Sequence, residues 1–183
     1  MEHPTMALMR ALDYAARRHA DQRRKGAGAN PYINHLAEVA HLLADATGGE
    51  DTNLVIAGLL HDAIEDTGAT REEVAAAFGE DVATLVAAVT DDKALPKSQR
   101  KRLQVETAPD KPERARMLKI ADKTSNLRDI AADPPEDWPL ERRHEYIEWA
   151  ASVVAGCRGV SAALERQFDD AKAAAARSLE INS

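Results

Sequence analysis

The chain has 183 residues, of which 44% are hydrophobic and only 4% aromatic, and carries a formal net charge of −7 at neutral pH. That length holds one domain with a full hydrophobic core, while the acidic balance excludes a protein that coats nucleic acid or an anionic membrane and requires any anionic ligand to meet a local basic patch. One cysteine, Cys157, excludes an intrachain disulfide and a cysteine-rich metal site.

Met6 to about Ala20 predicts the first helix, with Met9, Leu12 and Ala16 on one stripe. Arg23-Arg24-Lys25-Gly26-Ala27-Gly28-Ala29-Asn30-Pro31 is a basic, glycine-containing loop, and Pro31 restricts the backbone of Asn30. A second helix runs from His35 to about Ala46 and closes at Gly48-Gly49. Asp51 or Thr52 caps the third, Leu54 to about Glu65, whose apolar residues run nearly all the way round and mark it as central. Thr70 caps a short helix ending near Phe78-Gly79, and another covers Asp81 to Val89. A loop from Asp91 to Pro96 leads into a basic helix, Lys97 to Glu106. Pro112 starts a helix reaching Ile130, and Pro134-Pro135 end it. Leu140 to Val154 follows, then an amphipathic helix to about Leu179. With no strand-forming runs of Val, Ile, Thr and Tyr, the expectation is an all-α, single-domain bundle over residues 1–183. No stretch approaches the ~18 apolar residues of a membrane span, so a soluble cytoplasmic protein is expected.

The chemistry concentrates in His61-Asp62-Ala63-Ile64-Glu65-Asp66-Thr67, directly after the most apolar segment of the chain, Leu54 to Leu60. Ionisable side chains at the end of a core segment are costly unless they hold something, and His with Asp points to a divalent metal. Glu65 and Asp66 each follow His61 and Asp62 by one helical turn and fall on the same face. Asp122 and Asn126, again one turn apart, interrupt the apolar face of the helix that contains Leu118, Ala121 and Leu127. His35 stands at the start of its helix. Together His35, His61, Asp62 and Asp122 offer two nitrogens and two oxygens, a complete ligand set with room for water. Such a mixed set suits Mn²⁺, and also Zn²⁺ or Fe²⁺.

The order His…His-Asp…Asp resembles the HD metal-dependent phosphohydrolases. The segments Arg23-Arg24-Lys25, Pro31-Tyr32-Ile33-Asn34-His35, His61 to Thr67 and Lys119-Ile120-Ala121-Asp122-Lys123-Thr124-Ser125-Asn126-Leu127-Arg128 narrow the resemblance. They are similar to the hydrolase domain of the RelA/SpoT homologues, in its small stand-alone form, over roughly residues 6 to 165. Thr90 to Lys93, Leu95-Pro96-Lys97 and Glu145 to Ala150 extend the match. The resemblance implies a Mn²⁺-dependent 3′-pyrophosphohydrolase of guanosine tetra- and pentaphosphate that works through an ion-activated water. Its metal ligands map to His35, His61, Asp62 and Asp122, its catalytic acidic pair to Glu65 and Asp66, and a nucleotide contact to Asn126. A small nucleotide is then the expected partner, with neither nucleic acid nor membrane; a homo-oligomer is left open.

A ligand with four or five phosphates needs cations, and Arg24 and Lys25 are the nearest candidates. Lys97 with Arg142 and Tyr146 forms a second candidate rim for base or phosphate. Trp149 and Val153 continue that stripe inward and read as core, whereas Lys101, Arg102 and Asp169-Asp170 read as ordinary surface. The chain departs from the family pattern at Ser125, where many relatives carry an aromatic or histidine; the serine offers no stacking surface and bears on base recognition. Two other readings keep the site: removal of the 2′-phosphate of NADPH, and a module that binds the alarmone without cleaving it.

Overall fold

The computed structural model describes residues 2–181, and among these every regular element is helical. Helix α1 spans Pro4–Arg18, α2 Ile33–Thr47, α3 Thr52–Leu60, α4 Ala63–Thr67, α5 Arg71–Phe78 and α6 Glu80–Val89. Then come α7 Lys97–Thr107, a 3₁₀ turn Ala108–Asp110, α8 Glu113–Ala132, α9 Leu140–Cys157 and α10 Ala162–Ile181. Helix α1 starts two residues earlier than its apolar stripe suggests, because Pro4 sits in the first turn and the His3 side chain accepts from the Thr5 N–H.

Local chemistry accounts for most of the remaining boundaries. Asp51, rather than Thr52, caps α3 by accepting from the Leu54 N–H at 3.0 Å. Thr70 and Glu73 form a reciprocal capping box at the start of α5. Every residue of α3 from Leu54 to Leu60 is buried, as a central helix requires. Helix α3 lies against α1, α2 and α6, while α8 is flanked by α2, α9 and most extensively α10. The core is aliphatic, with Phe168 of α10 the largest fully buried side chain.

The third helix is not continuous to Glu65; it breaks at His61-Asp62. In an uninterrupted helix the Gly58 carbonyl would receive the Asp62 N–H. Here it accepts from the His61 ring Nδ1 at 2.8 Å. Asp62 takes φ −99° and ψ 0°, between the regular basins. The chain then re-enters a short helix, with the Asp66 N–H donating to the Asp62 carbonyl at 2.8 Å.

The basic loop between α1 and α2 folds back on itself through Arg24 N–H to Asn30 carbonyl and Tyr32 N–H to Gln22 carbonyl. It is clasped to the end of α8 by Asp133, which accepts from the Gly28 N–H and the Asn30 side chain. At Gly26 a Cβ would stand 2.2 Å from the Asp133 carbonyl oxygen, so only glycine permits this approach. No helix among the described residues is long and apolar enough to cross a membrane.

Candidate metal centre and phosphate cavity

Three helices deliver the predicted ligands to one point. The first turn of α2 brings His35, the break between α3 and α4 brings His61 and Asp62, and the middle of α8 brings Asp122. His61 Nε2 lies 3.1 Å from Asp62 Oδ2 and 3.9 Å from Asp122 Oδ1. His35 Nε2 lies 3.8 Å and 3.5 Å from the same two oxygens. One ligand atom from each of His35, His61 and Asp62 falls within 4.8 Å of the others, and Asp122 faces both imidazoles from α8.

The donor set fits a divalent cation. His61 gives its Nδ1–H to the Gly58 carbonyl, so Nε2 is the nitrogen turned toward the two carboxylates; that atom is buried and has no hydrogen-bond partner. Although 3.1 Å from Asp62, it is not aligned for a hydrogen bond with it. A buried, unpartnered nitrogen between two carboxylates is a fitting donor for a cation. Burial disfavours charge on both rings, and it dominates at His35, whose pKa drops to about 3. At His61 the attraction of Asp62 and Asp122 outweighs burial and lifts the pKa to about 9. For Asp62 and Asp122 burial works against ionisation but cations prevail, chiefly His61 and Lys123 respectively, so both stay well below the usual carboxylate range.

Supporting groups orient these ligands. Tyr32 O–H donates to Asp62 Oδ2 at 2.7 Å. Asp122 accepts from Asn126 at 2.6 Å and from the buried Lys123 ammonium at 2.9 Å. Lys123 also lies over the Trp149 ring. Glu65 and Asp66 line the cavity above the cluster together with Asp91 and Gln104. Glu65 accepts from the Asp91 N–H at 3.1 Å, with Arg100 3.6 Å away. Asp66 accepts from Gln22 at 2.8 Å and pairs with Lys93. Gln22 in turn meets the buried His19, whose ring stacks on Tyr32. Gln22 lies outside every motif of the sequence, and Tyr32, Lys93 and Lys123 fall within the matching segments without a role of their own, since nothing in their spacing announces a partner in a distant segment.

A larger cavity of about 660 Å³ opens outward from Glu65 and Asp66. Lys25, Lys97 and Arg142 line it, with Tyr146 between Trp138 and Trp149 as an aromatic wall. The ammonium of Lys97 is destabilised by partial burial and by the neighbouring Arg142, Lys25 and Arg100. Such crowding of cations favours an anionic ligand. Lys101 is not ordinary surface: it lines this cavity and sits over the Trp149 ring at 4.7 Å. Trp149 itself is half-buried cavity wall rather than core, its Nε1–H given to the Lys101 carbonyl, whereas Val153 is buried. Arg24 lies deeper than a rim residue. It donates to Asn126 Oδ1 at 2.8 Å, pairs with Asp129 and covers the Tyr32 ring. Ser125 does not face the cavity. It is fully buried on the opposite side of His35, so the absence of an aromatic there removes nothing from the cavity wall.

The chain is similar to known proteins over most of its length. The family model for the HD domain matches residues 11–148. The guanosine-3′,5′-bis(diphosphate) 3′-pyrophosphohydrolase MESH1 of Xenopus tropicalis is 46% identical over 169 residues, covering 92% of this chain and 94% of the relative. The Homo sapiens protein of the same name is 50% identical over 158 residues, covering 86% and 88%. A solved structure, described as a metazoan orthologue of SpoT that hydrolyses ppGpp and plays a role in starvation responses, superposes with a TM-score of 0.88 at 44% identity, covering 93% of this chain and 96% of that one.

Proposed function

We infer that this chain, which belongs to the HD-domain family in its RelA/SpoT-homologue branch, is a guanosine-3′,5′-bis(diphosphate) 3′-pyrophosphohydrolase. The observation that carries the reading is the pair of imidazoles turned toward two carboxylates at the base of a cation-lined cavity. His35, His61, Asp62 and Asp122 would hold one divalent ion, which we take to be Mn²⁺. When bound, such an ion acidifies water and offsets charge on phosphate oxygens.

The residues around it divide the remaining work. Lys25, Lys97 and Arg142 bind the phosphates, and Tyr146 supplies a face for the base. Arg24 holds Asn126 and the basic loop in register while presenting its charge to an adjoining pocket that shares Lys25, Asp66 and Tyr146 with this cavity. Glu65 and Asp66 take the proton of the attacking water; Gln22 and Lys93 fix the Asp66 carboxylate for that purpose. Water adds to the phosphorus bonded to ribose O3′, the P–O3′ bond breaks and O3′ takes a proton. GDP or GTP and pyrophosphate are released.

The test is pyrophosphate release from ppGpp by the purified chain with Mn²⁺, repeated after chelation. Release that the chelator abolishes and Mn²⁺ restores is expected. No release with Mn²⁺ supplied would overturn the function, and release that survives exhaustive chelation would overturn the metal requirement.

A further inference from the structure

We infer that Ser125 and Glu38 are positioning residues for His35: they dictate which of its ring nitrogens carries the proton and therefore which one is bare toward the ion. The inference rests on the reading of the cluster as a metal centre. Its basis is the direction of the hydrogen bonds made by the buried Ser125 hydroxyl. The Ser125 Oγ lies 2.6 Å from Glu38 Oε2 and 2.8 Å from His35 Nδ1. A hydroxyl has one hydrogen and an ionised carboxylate has none to give. The serine hydrogen therefore goes to Glu38, and the contact with His35 must be filled by the ring Nδ1–H. That leaves Nε2 as a lone pair, aimed at Asp122 Oδ1 at 3.5 Å and Asp62 Oδ2 at 3.8 Å.

The relay is anchored at its far end. Arg128 donates to Glu38 Oε1 at 2.7 Å and to Gln167 of α10 at 3.2 Å, which pairs the Glu38 carboxylate with a cation and leaves its second oxygen turned to Ser125. The two histidines thus solve the same problem differently. His61 gives its Nδ1–H to a backbone carbonyl. His35 depends wholly on side chains: without Glu38 the serine hydrogen is free to turn to Nδ1, and the proton then belongs on Nε2, where it blocks the ion. Carboxylate-oriented histidines of this kind raise metal affinity by fixing tautomer and ring plane.

The experiment measures Mn²⁺ affinity of the full chain by competition with a chelating indicator, for wild type, Ser125→Ala, Glu38→Ala and Thr124→Ala. Thr124 is the control: it is equally buried on α8, but its hydroxyl bonds the Ile120 carbonyl and not His35. Glu38 is half-exposed on α2, so its variant keeps the test alive if Ser125→Ala fails to fold. Both relay variants should bind about 10–100-fold more weakly, with Thr124→Ala within about twofold of wild type. Nitrogen-15 NMR of the metal-free chain should find His35 protonated at Nδ1 in the wild type and shifted toward Nε2 in Glu38→Ala. Relay variants as tight as wild type, equal weakening by Thr124→Ala, or a wild-type His35 protonated at Nε2 would each overturn the inference and leave the metal centre standing. No binding by the wild type would overturn the metal-centre reading, and the inference with it.

Discussion

Glu65 is the residue whose surroundings bear most directly on the pH of the reaction. Burial raises its pKa; the Asp91 N–H opposes that, while Asp62, Asp91 and Asp66 reinforce it. A carboxylate with a raised pKa keeps its proton to higher pH, so its basic form is lost earlier as the solution is acidified. With ppGpp and metal saturating, kcat should therefore fall along an acid limb that lies above 4.5, the ordinary value for glutamate. Glu65→Gln should remove the limb and lower kcat by about 10²–10⁴-fold; a limb at or below the ordinary value would exclude Glu65 as the base. At this scale the ligand types were legible because His, Asp and their one-turn spacing are chemically distinctive. Their supports were not. That Gln22 would meet Asp66, or that Ser125 would turn toward His35 and away from the cavity, depends on how α1, α2 and α8 approach one another.

Among the elements, α3 sets the position of half the ligand set, and its close approach to α2 is made possible by Gly58. A Cβ there would stand 2.9 Å from Leu43 Cδ1 and 3.1 Å from the Ala40 Cα. Alanine gains about 1 kcal/mol in helix propensity, but overpacking costs about 1–3 kcal/mol and backbone atoms of α2 cannot swing aside. Gly58→Ala should therefore lower the urea midpoint and weaken metal binding together, because the displaced Gly58 carbonyl is the His61 anchor. An unchanged midpoint would show that α2 yields more easily than its packing suggests. Helix starts and stops were largely legible from Asp51, Thr70, Pro112 and Pro134-Pro135, whose capping or breaking action is local. The break at His61-Asp62 was not, since it involves neither glycine nor proline at the break itself and arises from a side chain competing for a backbone carbonyl.

Across the whole molecule the charge is unevenly distributed. The chain is acidic overall at −7, yet Lys25, the α7 pair Lys97 and Lys101, and Arg142 converge on one cavity from three segments. Exposed charges of this kind act over a screening length of about 8 Å at physiological salt. The value of kcat/KM for ppGpp should fall as salt rises, and Arg142→Ala should raise KM and flatten that dependence. A salt-independent kcat/KM would mean that the rim does not attract the substrate. Composition was enough to read an all-helical chain. It could not disclose this rim, because cations scattered along a sequence look like solvated surface until the fold gathers them, as Lys101 illustrates.

The same gathering has a consequence for the life of the protein. Residues 35, 61 and 62 precede α7, whereas 122 and 125 follow it. A nascent chain still on the ribosome at α7 holds both imidazoles but lacks the carboxylate and the hydroxyl that α8 brings. Domains are built as translation proceeds from the N-terminus, so this centre closes only late in synthesis. Chains truncated before α8 should therefore release no pyrophosphate from ppGpp.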